Sequence, residues 1–204
     1  MKRVPGGPFG RDDPVPDERI MDDYLDRLDP ARFRVRGMFF TSLVKRLGAD
    51  YASIVPFLAE PPPGKYVPFR SYPQHDHLLL LAVLAQREYG AHSHAEGMRR
   101  LAREDFHTFV SSTLGKVLMA MAGDPRAALA KLPAIYENVA PKSQRVRYEL
   151  LPDGRVQLDF APVPGVYSYQ LGQIEEIVGN WDHPTSIEIW LGAEDRVRFV
   201  VDLD

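Results

Sequence analysis

The spacing of apolar residues changes from helical to alternating near Gln144, and this change determines the class of fold. Upstream, the stretch Phe106 to Gly123 reads FHTFVSSTLGKVLMAMAG, with apolar residues at successive offsets of three and four. That spacing places them on one stripe of a helix, which must be buried. Downstream, Val146, Tyr148 and Leu150 alternate with polar residues, as on a strand with one covered face. The sequence therefore predicts an α+β fold.

Four strands are predicted in the last third of the chain. RVRYELL and RVQLDF form a hairpin through the turn Pro152-Asp153-Gly154. A helix over YSYQLGQIEEIVG follows, and then the strands TSIEIWL and RVRFVVDL, which are joined by GAED. We expect a helical N-terminal subdomain packed on a four-stranded antiparallel sheet with the order ββαββ.

The first 30 residues differ in composition from the rest. Residues 1 to about 17 are rich in proline and glycine, a composition that buries too little apolar surface to offset the entropy of ordering it. From Asp17 to Asp29 helical spacing returns, with acids among apolar residues such as Ile20 and Tyr24. We predict a flexible acidic arm with a short amphipathic helix over residues 1–30, and a single α+β domain over residues 31–204. The short helix either packs on its own domain or docks a partner or a second copy.

Further helices are expected between the arm and the sheet. The stretch from Arg34 to Gly48 has one apolar face, and its final glycine is suited to end a helix. The prolines after residue 60 stop any helix, so we predict an ordered loop from Pro61 to Pro73. Asp76 is a plausible N-cap for a helix that is apolar nearly all round in its first two turns. Whether the following helix joins the stripe or breaks near Glu104 stays open.

Composition excludes several classes of protein. The 204 residues include no cysteine, so disulfide scaffolds, thiol catalysis and cysteine zinc sites are ruled out. A formal charge of −3 argues against a dedicated nucleic-acid binder. No segment approaches the roughly 20 apolar residues of a membrane span. We expect a cytoplasmic protein.

Histidines flank one predicted helix without forming a metal site. His75 and His77 lie at its start, and His92 and His94 follow its end. Residues two apart on a helix point away from each other, and at 1.5 Å per residue the helix separates the two pairs by about 20 Å. We expect no metal, and we interpret all four as surface or helix-terminus histidines.

One group of residues resembles a catalytic triad in composition only. His107 lies near Asp105 and Ser111 in the sequence. Neighbours on a single helix lack the strand-turn that exposes a nucleophile, and they lack donors for an oxyanion. We therefore expect a protein that is not an enzyme.

Arginines alternate with apolar residues along the predicted strands and should project from the sheet face away from the helices. Arginine suits recognition of carboxylates and phosphates through its planar fork. Glu149, Asp159 and Glu188 alternate into the same face and would partly neutralise it. Two interpretations stay open: a mixed face in contact with water, or a surface for an acidic protein partner, which the chain's own N-terminal segment could also supply. The candidate partner-binding residues are Arg145, Arg147, Arg196 and Arg198 on the sheet, and Ile20 and Tyr24 on the arm.

The order of these features resembles known families. RGMFFTSLVKRLG, REDFHTFVSSTLGKVLMAM, LPAIYENVAPKSQRVRYELLPDGRVQLDF and YSYQLGQIEEIVG, followed by two strands, resemble a myxobacterial paralogous family of uncharacterised proteins. More distantly they are similar to the haem-nitric oxide/oxygen binding (H-NOX) domain and its V4R/TRAPP-like relatives. The resemblance covers Arg32 to Asp204, and it implies the same helical subdomain on a four-stranded sheet.

The resemblance also implies haem, which the residues do not support. An H-NOX domain carries an iron-ligating histidine on the helix before the hairpin, and residues 127–136 contain none. The residues that hold the haem propionates would fall near Phe160, Pro162 and Pro164, whose side chains cannot donate hydrogen bonds. We predict a relative without haem or any other cofactor.

Two functions are considered. The first is a non-enzymatic signalling or scaffold domain that acts through protein contacts, as a homodimer or with another protein. The alternative is a sensor of a small apolar molecule or lipid, bound in the cavity that relatives use for haem. The predicted cavity residues are Phe106, Phe109, Leu114 and Leu118.

Overall fold

A computed structural model describes residues 1–16, 25, 28–111, 113–120, 122–140, 144–163, 167–181 and 185–203. In chain order its strands and helices are β1 (Lys2–Arg3), β2 (Arg34–Arg36), α1 (Met38–Leu47), α2 (Tyr51–Ile54), β3 (Ser71–Pro73), α3 (Gln74–Tyr89), α4 (His94–Ser111), α5 (Thr113–Ala120), α6 (Pro125–Leu129), α7 (Leu132–Val139), β4 (Arg145–Leu150), β5 (Val156–Ala161), α8 (Tyr167–Gly179), β6 (Ser186–Leu191) and β7 (Val197–Asp202).

The main sheet confirms the predicted α+β class. Strand β4 pairs with β5 and β6 pairs with β7, both antiparallel, and α8 lies between the two hairpins in sequence. The full order is β1-β6-β7-β5-β4, so the predicted ββαββ unit carries a fifth strand at its β6 edge. Alternate residues of β5 are buried, as expected for a strand with one covered face.

Residues 1–16 pack on the sheet, which differs from the flexible arm expected from their composition. Strand β1 pairs with β6, and Phe9 exchanges backbone hydrogen bonds with Ile187 at 2.8 and 2.9 Å. Val4, Phe9 and Val15 are buried. These three apolar residues are spaced too widely to show a local pattern, yet each covers the core. The predicted amphipathic helix, with Ile20 and Tyr24, lies outside the described residues.

A buried arginine fastens this N-terminal segment to the helices. Arg99 on α4 is fully buried and forms an ion pair with Glu175 on α8. Its guanidinium also donates to the carbonyl oxygens of Gly10, at 2.6 Å, and Asp13. Three groups, from the N-terminal segment and from α8, therefore meet at one cation on α4.

Helices α4 and α8 pack closely across the centre of the molecule. A Cβ at Gly172 would lie 2.1 Å from the carbonyl oxygen of Arg99 and 3.0 Å from the Cβ of Ala102. Only glycine permits this approach of two helices. One apolar core lies between α8 and the sheet, and a second is formed largely by α1, α3 and α4.

Several predicted boundaries shift in the structure. The expected helix from Arg34 begins only at Met38, because 34–36 form β2, which pairs with β3 inside the predicted proline-rich loop. Gly48 follows α1 with a positive φ of 59°, which glycine tolerates, but its ψ of −125° lies outside the left-handed helical region. The stripe over 106–123 is divided between α4 and α5. A Cβ at Gly115 would lie 2.1 Å from the carbonyl oxygen of Phe109, so α5 turns back against the end of α4.

Asp76 has a different role from the predicted N-cap. Pro73 precedes the first residue of α3, and Asp76 lies within the first turn with no exposed surface. Its carboxylate accepts hydrogen bonds from the backbone amides of Ala59, at 2.7 Å, and Glu60, at 2.9 Å. The acid therefore anchors the loop before β3.

Two properties of the described residues bear on the class of protein. In this part of the chain, no helix has the length and apolar character needed to cross a membrane. The same residues contain no group of three or more histidine, aspartate or glutamate side chains placed to hold a metal ion.

Candidate functional site

A cavity of about 80 Å³ lies between α3, α4, α7 and α8. These elements meet here because α8 is packed between the sheet and α4. One part of the wall is apolar and includes Phe39, Leu78, Phe106, Phe109, Leu132 and Ile135. The other part is polar and includes Gln74, His77, Asp105, Tyr136, Tyr169, Gln170 and Gln173.

Three polar atoms on this wall lack hydrogen-bond partners among the described residues. They are Oε1 of Gln74, Nε2 of His77 and Oε1 of Gln170. Each side chain is less than a tenth exposed. Buried polar groups in folded proteins are nearly always hydrogen-bonded, so three such atoms around one cavity indicate a site for a polar molecule.

The remaining polar groups are joined by two hydrogen bonds. The hydroxyl of Tyr169 donates to Oδ2 of Asp105 at 3.2 Å. The hydroxyl of Tyr136 donates to Oε1 of Gln173 at 2.7 Å. These bonds link α8 to α4 and to α7 along the cavity wall.

Burial changes the charge states at the site. It lowers the pKa of His77 to about 4, so this imidazole is neutral at physiological pH. Burial also raises the pKa of Asp105 to about 6, although Arg46, 3.7 Å away, opposes that rise. The pKa values of the Tyr136 and Tyr169 hydroxyls are raised by burial too. Near pH 7 the wall therefore holds a carboxylate, a neutral imidazole and protonated phenols.

The structure describes the side chains of only two of the four predicted cavity residues. Phe106 and Phe109 lie on the apolar wall with their ring centroids 5.7 Å apart. Leu114 and Leu118 belong to α5, and their side chains are outside the described part of the structure. That a ligand binds beside these residues stays a prediction.

His77, which was expected at the surface or at a helix terminus, lies in the first turn of α3 and belongs to the site. His77 is buried, with its ring centroid 5.2 Å from that of Phe40 and 6.4 Å from that of Tyr169. A signal for this burial was present, because the helix that begins here is apolar nearly all round in its first turns. Gln74 and Gln170 had no such signal, since glutamine is usually exposed.

The outer face of the sheet carries the predicted arginines. Asp159 on β5 is flanked by Arg147 on the neighbouring strand β4 and by Arg198 on the other neighbour, β7. Arg198 binds Asp159 through two hydrogen bonds of 2.7 and 3.1 Å, so its charge is compensated. The predicted mixing of arginines and acids on this face is confirmed.

Three arginines near that face have no such compensation. Arg145, Arg147 and Arg196 are exposed, and their guanidinium groups form no ion pair or hydrogen bond with any described residue. They line a groove of about 670 Å³, together with Arg32 and residues that include Glu194 and Asp195. We call this groove the arginine groove.

Haem does not fit the interior cavity. Ligand pockets generally measure about 300–1,000 Å³, whereas this cavity measures about 80 Å³. Residues 127–136 offer Tyr136 alone as a possible iron ligand, and its hydroxyl is bonded to Gln173 while its ring packs on Phe160 at 5.4 Å. The His77 imidazole faces the cavity, but the space beside it is too small for a porphyrin.

Solved structures with a similar fold are H-NOX proteins. One is an H-NOX protein from S. oneidensis in the Fe(II)NO ligation state, at 14% identity and a TM-score of 0.65, covering 83% of this chain and 99% of that one. Another is the Fe(II) unliganded H-NOX protein from K. algicida, at 18% identity and a TM-score of 0.62, covering 83% and 96%. At these identities the likeness concerns the fold, and it confirms the expected H-NOX-like architecture.

A comparison with curated proteins gave no match. A protein-family model does match, over residues 31–185, and it describes proteins of unknown function. This match spans more than half of the chain, which therefore belongs to the DUF2378 family.

Proposed function

We propose that this chain is a haem-free sensor domain that responds to a small molecule bound in the cavity between α3, α4, α7 and α8. The observation that carries the proposal is the set of unpartnered atoms on Gln74, His77 and Gln170. Its H-NOX-like fold supports a role in signalling, because the cavity lies within the helical part of that fold.

Burial gives these three atoms their energetic weight. A buried polar group that pairs with neither protein nor water costs about 1–3 kcal/mol. A molecule that supplies partners to all three groups around the cavity removes that cost. Binding would also change the contacts among α3, α4 and α8, which gives the site a route to the rest of the protein.

From the sequence, protein contacts are the first expectation and an apolar ligand is the second. The polar wall of the cavity favours a bound ligand as the main function. It also favours a polar ligand over a lipid. A volume of about 80 Å³ is also too small for an acyl chain. A signalling role without enzymatic activity remains our proposal.

Native mass spectrometry tests this function directly. We expect the purified chain to carry a stoichiometric small adduct that is lost from a Gln170→Leu variant. Gln86→Leu is the matched control, because Gln86 is exposed on α3 and distant from the cavity. A mass equal to that of the bare chain in all three proteins would contradict the proposal.

A second function has independent support in the arginine groove. Arg145, Arg147 and Arg196 are uncompensated cations beside a groove of about 670 Å³, and that geometry suits an acidic protein partner. The partner is expected to be a second copy of the chain or another protein, and this identity stays a prediction. A contribution from Ile20 and Tyr24 to partner binding stays a prediction too. The same holds for a cytoplasmic location and for a relationship to myxobacterial and V4R/TRAPP-like proteins.

The arginine groove is tested with an octaglutamate peptide and fluorescence anisotropy. We expect binding that weakens as salt is raised from 50 to 200 mM and that is lost when Arg145, Arg147 and Arg196 are all changed to Glu. The control replaces three exposed lysines away from the groove with Glu: Lys45, Lys65 and Lys116. Equal loss in both triple variants would show that net charge alone attracts the peptide.

A further inference from the structure

We infer that the cavity ligand is a compact hydrogen-bond donor of the amidinium, guanidinium or urea type, held by the side-chain oxygens of Gln74, Gln170 and Asp105. This inference rests on the proposed function, since it names the chemistry of the molecule bound in the same cavity. The direction of the hydrogen bonds, the charge of the wall and the size of the space all favour such a ligand.

The two phenols of the wall both donate to the protein. An ionised carboxylate only accepts, so the Tyr169 hydroxyl donates to Asp105, at 3.2 Å. The Tyr136 hydroxyl donates to Oε1 of Gln173, at 2.7 Å. Each phenol therefore uses its single proton within the protein, while Oε1 of Gln170 is left without a partner among the described residues.

The rest of the polar wall also accepts hydrogen bonds. The free atom of Gln74 is its amide oxygen, and Asp105 contributes a carboxylate. Nε2 of neutral His77 donates or accepts according to its tautomer, so it adapts to either kind of ligand. An anionic ligand would meet two amide oxygens and a carboxylate, whereas a donor satisfies all three.

The volume limits the number of atoms. A dry cavity of 150 Å³ in another protein accepts benzene, which has six carbon atoms. This cavity measures about 80 Å³, so in proportion about three or four non-hydrogen atoms fit it. Acetamidinium, guanidinium and urea each contain four, arranged in a plane with several N–H groups directed outward.

The test uses a pair of probes with the same shape and opposite hydrogen-bonding character. Acetamidinium presents four N–H donors, and acetate presents only acceptors on an equally sized frame. We expect acetamidinium at millimolar concentration to raise the melting temperature and to shift the His77 imidazole resonances in a saturable way at pH 7.5. Acetate should bind at least tenfold more weakly.

Variants of the two glutamines identify the site. Gln170→Leu and Gln74→Leu should each weaken acetamidinium binding at least tenfold, because a hydrogen bond to a charged group is lost. Gln86→Leu should bind it like the unmodified chain. Two variants are made so that the test remains valid if one of them fails to fold. Circular dichroism shows which of the two is folded.

The outcomes separate this inference from the proposed function. If acetate binds more tightly than acetamidinium and this binding is lost in Gln170→Leu, the donor class is overturned and a small-molecule site remains. Binding of no probe, together with no copurified adduct and only ordered water in the cavity, would overturn both. Saturable acetamidinium binding that depends on both glutamines supports both.

Discussion

Arg99 on α4 binds both carboxylate oxygens of Glu175 on α8, with its Nε 3.0 Å from each. The side chains are 0% and 4% exposed, respectively. A buried pair of this kind contributes little compared with a well-packed apolar pair, but loss of one member leaves an uncompensated charge in the interior. We therefore expect Glu175→Leu to lower the free energy of unfolding by about 3–5 kcal/mol, measured by urea denaturation.

A neighbouring residue provides the control for this variant. Glu176 pairs with Arg11 at 3.0 Å, and the side chains are 14% and 52% exposed, respectively. Because the arginine stays in contact with water when its partner is removed, the pair contributes about 0–1 kcal/mol, and Glu176→Leu should change stability by less than 1 kcal/mol. A similar loss from both variants would contradict a special role for the buried pair.

The contact between α4 and α8 predicts the effect of adding one methyl group. In Gly172→Ala the new Cβ would lie 2.1 Å from the carbonyl oxygen of Arg99, a backbone atom that cannot rotate away. We expect a loss of stability of about 3 kcal/mol or more, seen as a lower melting temperature. Gly123→Ala should be nearly neutral, since no atom lies within 4 Å of the added Cβ. Unchanged stability of Gly172→Ala would refute the close approach of the helices.

Asp105 and His77 predict opposite pH dependences. The pKa of folded Asp105 is raised from 3.8 to about 6, so its contribution to stability is present in acid and is lost as the pH rises through 6. The pKa of folded His77 is lowered from 6.5 to about 4, so its contribution is present above pH 6.5 and is lost as the pH falls towards 4. Shifts of this size correspond to about 3 kcal/mol each.

Single variants should reveal how the contribution of each group to stability changes with pH. Relative to the unmodified chain, Asp105→Asn should gain up to about 3 kcal/mol of stability between pH 4 and 6. His77→Gln should show its greatest gain at pH 4 and lose that gain towards pH 6.5. Urea denaturation at half-unit pH intervals measures both differences. Parallel curves for all three proteins would show that neither group titrates as its burial requires.

The haem-free assignment has a spectroscopic test. We expect no Soret band in the purified chain and no stoichiometric uptake when haemin is added, because the cavity of about 80 Å³ cannot accept a porphyrin. His77→Ala separates specific ligation from surface adsorption. A Soret band that appears with one equivalent of haemin and shifts in this variant would overturn the assignment.

The parts of the fold that were predictable from sequence depend on local patterns. Alternation in β4 and β5 and the turn between them follow from neighbouring residues, as does the end of α1 at Gly48. The packing of residues 1–16 depends instead on strand pairing with a segment about 180 residues later, which no local pattern shows.

The candidate site was predictable only on its apolar side. Phe106 and Phe109 belong to a stripe with helical spacing, and the structure places both on the cavity wall. Gln170 lies on α8, where Tyr167–Gly172 are buried on every side between the sheet and α4. At this position the helix has no side that faces water, so the sequence pattern does not distinguish a buried glutamine from an exposed one. Only the tertiary packing shows that its oxygen is enclosed.

The pairing of residues 2–9 with β6 has a consequence for association between chains. The backbone amides of Val4 and Phe9 occupy the carbonyl oxygens of Ile189 and Ile187, each at 2.8 Å. Removal of the first nine residues would leave those groups on β6 unpaired, and an exposed strand is a template for intermolecular β-sheet. We therefore expect the N-terminal segment to protect the sheet from aggregation, so that a shortened chain precipitates at concentrations where the full chain stays dispersed.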